Sequence, residues 1–93
     1  MKTGIELIAE ERKRQVEVEG FTDEHDKQYD SLELVFAAIT YAIPDDLDSI
    51  DPRHYWPWDP SWYKRTPNDR VRELSKAGAL IAAEIDRLQN QQS

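Results

Sequence analysis

Carboxylates are the residues of this 93-residue chain whose types and spacing could do chemistry. Glu10 and Glu11 are adjacent. Glu11, Gln15 and Glu19 then recur at intervals of four, so on a helix they share one side. Asp23, Glu24, Asp26 and Asp30 crowd the next segment, and Glu33 follows Asp30 by three positions. Converging carboxylates repel one another unless protonated or bridged by a cation. Hard Mg2+ or Mn2+ suits an all-oxygen set, because each accepts carboxylates while keeping waters of its own. A second reading stands beside this one. Glu10 pairs with Arg14 one turn on, Asp30 is spent as a helix cap, and the remaining acids form a solvated face.

Other reactive devices are few. The chain has no cysteine, which excludes a disulfide, a thiolate metal site and a cysteine nucleophile. His25 and His54 are its two histidines, too few for a histidine-rich metal site. No GxxxxGK[ST] phosphate loop, GxGxxG or HExxH occurs. His25, beside Asp26, is a ligand or proton carrier in one reading and a helix cap in another. Lys76, set among small residues, either reaches a phosphate or snorkels from a packed face to solvent. The run Tyr55-Trp56-Pro57-Trp58-Asp59-Pro60-Ser61-Trp62-Tyr63 could stack on a purine, with Lys64 and Arg65 near its phosphates. Alternatively these rings fill the surface of a core too small to close itself. We expect the second role for most of them, with one ring, Trp58, left at a ligand edge.

The elements that must position these groups read as helices. Thr3 and Glu6 make a capping box for a first helix, along which Ile5, Ile8 and Ala9 give way to Arg12, Gln15, Val16 and Glu19. Gly20 is the expected stop. Thr22 to Asp26 reads as a cap and acidic turn. Asp30 or Ser31 caps a second helix running to about Ile43, where Pro44 ends it. Its main apolar side is expected at Leu32, Val35, Phe36, Ile39 and Ile43, and its near-uniform apolarity suggests burial on several sides. Residues 45–65 connect onward and hold all three tryptophans. A connection this aromatic is expected to pack on the helices. Thr66-Pro67-Asn68-Asp69 is the expected start of the last helix, with Thr66 as cap. Val71, Leu74, Gly78, Ile81, Ile85 and Leu88 alternate spacings of three and four, a packing seam. Gly78 and the alanines beside it allow close approach. The tail from Gln89 to Ser93 should fray.

The chain is therefore expected to be a single all-α domain over residues 1–93. It is read as a small bundle of three main helices with a Trp/Pro-rich loop before the last. A core this small is helped by oligomerisation. With 19 acidic and 12 basic residues the net charge is -7, which disfavours direct nucleic acid binding. No apolar run is long enough for a bilayer, and the N-terminus lacks the apolar stretch of a signal peptide. The expected location is the cytoplasm.

Several segments together resemble a known family of short phage and prophage proteins. They are residues 10–15, 19–26 and 30–34, then Ala37-Ala38, Tyr41-Ala42, Trp56-Pro57-Trp58-Asp59-Pro60-Ser61-Trp62 and residues 74–88. The family is the MazG-like all-α nucleotide pyrophosphohydrolases, in particular the dATP/dGTP diphosphohydrolase branch. The resemblance spans nearly the whole chain. It implies a Mg2+ or Mn2+ site on helix carboxylates and attack of a metal-activated water on a purine nucleoside triphosphate, releasing pyrophosphate. It also implies homo-oligomers that complete a helical bundle. Glu10-Glu11 fits the family's EExx, whereas Asp30-Ser31-Leu32-Glu33 carries the acids of its ExxD in reversed order. On this reading Glu11, Asp30 and Glu33 hold metal, and Glu10 or Asp26 serves as further ligand or base. Arg14 or Lys76 offsets phosphate charge, and Trp58 faces the base. The alternative is a non-catalytic acidic phage protein that inhibits a host nucleic-acid-binding machine, as some anti-CRISPR proteins do by presenting carboxylates in place of phosphates. A third possibility is an inactive bundle that keeps the fold alone.

Overall fold

Local capping explains where the first helix begins. Thr3 Oγ1 accepts a hydrogen bond from the Glu6 N–H at 3.2 Å, and Glu6 Oε1 accepts from the Thr3 N–H at 2.9 Å. This reciprocal pair starts α1, Gly4–Glu17. The helix ends at a Val18 C-cap, and Gly20 follows in the left-handed region at φ +76°, as expected of the glycine stop. The computed structural model describes residues 1–20, 32–44 and 49–91. The expected acidic turn at Thr22 to Asp26 and the caps at Asp30 and Ser31 lie outside them.

Helix α2 is Glu33–Ala42, closed by a C-cap at Ile43 before Pro44. Its last carbonyls, on Tyr41, Ala42 and Ile43, all accept from the Arg70 guanidinium. A cation there satisfies orphan acceptors and the negative helix end together. Helix α3 is Arg70–Gln91. Its start corrects the expected one. Asn68 takes a left-handed conformation at φ +70°, so the chain turns after Thr66 instead of entering a helix. The cap passes to Asp69, whose Oδ1 accepts from the Arg72 N–H at 3.1 Å.

Both α1 and α2 pack on α3. The contact between α2 and α3 carries the buried core of Leu34, Ala37, Ala38, Tyr41, Ala77, Leu80 and Ala83. Small residues let these two helices approach closely, and Gly78 does the same for α1. A Cβ added at Gly78 would lie 2.5 Å from Ile8 Cδ1. Two 3-10 turns, Pro52–Tyr55 and Pro60–Trp62, organise the aromatic connection. Each begins at an Asp-Pro step. Asp51 and Asp59 accept from the N–H two residues on, at 3.0 and 2.8 Å. The rings pack as expected on α2. Trp56 meets Tyr41, Trp58 and Tyr63 with centroids 5.6, 5.3 and 5.0 Å apart.

The helix sides differ from expectation. On α2 the buried residues are Leu34, Ala37, Ala38, Thr40 and Tyr41, whereas Leu32, Val35 and Ile39 are exposed. Of the expected apolar side, Phe36 and Ile43 are half-buried, Phe36 against the Tyr55 ring, so α2 is covered by α3 and in part by the aromatic connection. On α3 the expected seam is closed at Gly78, where Ile8 packs, while Val71, Leu74, Ile81, Ile85 and Leu88 are between 41% and 61% exposed. Aliphatic spacing defined both stripes, but the close-packed faces are the alanine-rich ones beside them. Among the described residues there are three α-helices, no strand, and no helix long and apolar enough to cross a membrane.

Candidate functional site

The charged centre of the molecule lies where α1 and α3 meet. Glu11, 8% exposed, is held from its own helix by Arg14, whose Nε and Nη2 lie 2.7 and 2.6 Å from Oε1. Arg72 reaches toward its other oxygen from α3, with Nε 3.9 Å from Oε2. Glu19, just past the end of α1, receives Arg14 Nη1 at 3.6 Å and Lys64 Nζ at 3.2 Å. Burial works against the Arg14 charge, but hydrogen bonding and attraction from Glu11 and Glu19 outweigh it and raise the guanidinium pKa.

Lys76 sits deeper, 3% exposed. Its Nζ donates to the Lys64 carbonyl at 2.5 Å and lies 5.4 Å from the Tyr41 ring centroid, a cation–π placement. Burial lowers its pKa, with Arg72 adding repulsion, while Glu73 and Glu11 pull the other way. Tyr41 fastens the same loop residue from α2, since the Lys64 N–H donates to Tyr41 Oη at 3.0 Å. Burial is the main cause of the raised Tyr41 pKa. Glu73 is buried too, and accepts from the Thr66 N–H and hydroxyl at 3.4 and 3.3 Å. The charges interleave, so each one's desolvation is offset by neighbours of opposite sign.

Among the described residues, two buried acceptors stand outside this compensation. Gln15, one turn beyond Glu11 and 3% exposed, has a buried Oε1 with no hydrogen-bond partner. Glu33, in the first turn of α2, has a buried Oε2 in the same condition. A buried acceptor left unpaired costs about 1–3 kcal/mol, which a cation can remove by taking up its lone pair. Beside Glu11, a cleft of ≈270 Å3 opens between α1 and the start of α3, with Glu10, Glu11, Asp69, Arg72 and Ser75 among its walls. Arg72, 47% exposed at its side chain, brings a cation to that cleft.

Comparison with protein-family models, with curated proteins and with solved structures returns no match.

The expected site residues fall into distinct places. Glu11 and Arg14 are brought together, and Lys76 lies close enough to feel both electrostatically. Arg14 and Lys76, expected on phosphate, are instead engaged with groups of the same chain. Glu10 is exposed and pairs with Lys2, not with Arg14. Glu33 carries its unpaired oxygen on a separate helix, α2, and is not among the walls of the cleft beside Glu11. Trp58 is half-buried against Trp56, inside the aromatic cluster. Asp26 and Asp30 lie outside the described residues. Among the described residues no three His, Cys, Asp or Glu side chains gather as a ready metal cage. Sequence reasoning passed over Arg72 and Glu73. Their signal was positional: they precede Lys76 by four and three residues and so share its side of α3. Tyr41 and the Lys64 carbonyl carried no comparable signal.

Proposed function

We propose that the chain is a Mg2+- or Mn2+-dependent nucleoside triphosphate pyrophosphohydrolase acting on purine nucleotides, in a homo-oligomer. The observation that carries this reading is the pair of buried, unpaired acceptors, Gln15 Oε1 and Glu33 Oε2. They come from the two helices whose carboxylate pattern suggested a metal, and oxygen donors of this kind fit a hard divalent ion. Glu11 would join them, with Asp30 assigned from the sequence pattern alone. A bound divalent ion would polarise phosphate oxygens and lower the pKa of an attached water.

The chain's own residues supply the remaining chemistry. Arg72, at the cleft, offsets phosphate charge, because Arg14 and Lys76 are committed elsewhere. Arg14 holds Glu11 in place. Glu10, on the rim of the same cleft, takes the proton as water adds to phosphorus. The bond between the α-phosphorus and its bridging oxygen breaks, leaving monophosphate and pyrophosphate. The acidic-mimic alternative draws less support from the described residues. Glu11, Glu73 and Glu84 are buried and face donors of the same chain, so these three are not offered to a partner.

Incubating the protein with each dNTP and Mn2+ tests the proposal. The expected products are monophosphate and pyrophosphate, with purine substrates turned over fastest. Glu33→Gln should lower turnover about 100-fold or more with an unchanged far-UV spectrum. Folded protein that leaves every nucleotide intact, or that yields diphosphate and orthophosphate, would overturn it.

A further inference from the structure

The cleft beside Glu11 does not end at its charged walls. Leu7, Val71 and Ser75 line it and also line a second hollow of ≈200 Å3, whose remaining walls are Gly4, Ile8 and Leu74. The two adjoin across those three residues and make one groove between α1 and the first turns of α3. Together they reach the range of small-molecule sites, about 300–1,000 Å3. The ends differ in chemistry. Glu10, Glu11, Asp69 and Arg72 stand at one, and aliphatic side chains with the bare backbone of Gly4 at the other. Along α1 the lining runs from Gly4 to Glu11, about 10 Å at the helical rise.

A ligand that fits must change character along its length. Its apolar body meets Leu7, Ile8, Val71 and Leu74. Its head meets Arg72, which is free to turn to an anion because Glu10 and Glu11 are already paired with Lys2 and Arg14. Ser75, at the junction, narrows the choice. Its hydroxyl proton is spent on the Val71 carbonyl at 2.8 Å, so toward a ligand the oxygen can only accept. A hydrocarbon chain laid over that oxygen, on a residue 8% exposed, would leave it covered and unpaired. A flat heterocycle with an N–H satisfies it while laying its faces on the aliphatic walls. A nucleobase joined to phosphate has its parts in this order, and its reach from the far edge of the base to the first phosphate suits the groove.

We propose that the apolar end of this groove is the base subsite. The purine lies between α1 and α3 against Leu7, Ile8, Val71 and Leu74, gives an N–H to Ser75 Oγ, and directs its phosphates to Arg72. This rests on the nucleotide reading above and moves the base away from the aromatic connection. Trp58, the ring expected at the base, is packed against Trp56 with centroids 5.3 Å apart.

Deoxyadenosine is the probe, titrated with no phosphate and no divalent metal, and methyl NMR shifts read where it lands. The methyls of Leu7, Ile8, Val71 and Leu74 should shift together and saturate. Gly4→Trp tests the space. A Cβ at Gly4 meets nothing within 4 Å, so the indole can occupy the groove without disturbing the helix. Binding should weaken about 10-fold or more. Purine deoxyriboside, whose base has neither an amino group nor a ring N–H, tests the hydrogen bond. It should bind about 3- to 10-fold more weakly than deoxyadenosine to the wild type, and equally well to Ser75→Ala. Groove methyls that stay still, with or without nucleotide turnover, or shifts centred on the Trp56, Trp58 and Trp62 rings, would overturn the subsite. So would a folded Gly4→Trp chain that binds like the wild type, or a preference for deoxyadenosine that survives Ser75→Ala. Saturable groove shifts in a protein that hydrolyses no nucleotide would support the subsite and count against the hydrolase, so the two fail separately.

Discussion

Burial gives Lys76 its chemistry. Its ammonium sits under the Tyr41 ring on the Lys64 carbonyl, and desolvation lowers its pKa in the folded chain. The unfolded chain, with an ordinary lysine near 10.4, then binds more protons between the lowered value and that one. Stability must rise with pH across this window. Tyr41 works the other way, since its raised pKa makes folding oppose deprotonation once pH exceeds about 10. The prediction is a stability that climbs on the alkaline side of neutrality and turns down above about pH 10. Urea midpoints taken across pH 7–11 (a range set by the reference values) check it. In Lys76→Met the climb should vanish while the downturn remains. A climb of equal size in the variant would place its origin elsewhere.

At the scale of elements, Gly78 is the point where α1 meets α3. Helix propensity alone favours alanine over glycine there by about 1 kcal/mol. The added Cβ would collide with Ile8 Cδ1 and Cγ1, 2.5 and 2.7 Å away, an overlap that costs about 1–3 kcal/mol in a packed site. Gly78→Ala should therefore destabilise the wild-type chain but stabilise the Ile8→Ala background, where the obstacle is gone. A double-mutant cycle in urea reads the change of sign, and the same sign in both backgrounds would contradict this docking. The helices themselves were legible in the sequence because their signals are local. The Thr3–Glu6 box and Pro44 act within a few residues. The start of α3 was misplaced because the left-handed Asn68 intervenes between two plausible caps, Thr66 and Asp69. The inward sides were misjudged because periodicity finds an aliphatic stripe without naming what covers it. Alanines, together with Leu34, Leu80 and Tyr41, make the intrachain core. The carboxylate side of α1 was legible from its spacing of four. The Arg72 approach to Glu11, and the Tyr41–Lys64–Lys76 contact, were not, since they join residues far apart in the chain.

At the scale of the molecule, α3 is a hub on which both α1 and α2 pack. The extents of 42 × 33 × 21 Å describe a slab about two helix diameters thick. Such a layer buries Leu34 and Leu80 with the alanines and leaves Val71, Ile81 and Ile85 about half in solvent. The net charge is handled by pairing inside and separation outside: Glu11, Glu19 and Glu84 meet Arg14, Lys64 and Arg87. Among the described residues, Gln15 Oε1 and Glu33 Oε2 remain buried acceptors outside that pairing. Their service to a divalent cation is the claim on which the hydrolase reading stands. Titrating Mn2+ against the protein, with free ion followed by its electron paramagnetic resonance signal, tests that claim without nucleotide. The account predicts loss of the free-ion signal on the wild-type chain and an affinity about 10-fold or more weaker in Glu33→Gln. A free-ion signal untouched by the folded wild type, or equal binding by both proteins, would contradict it.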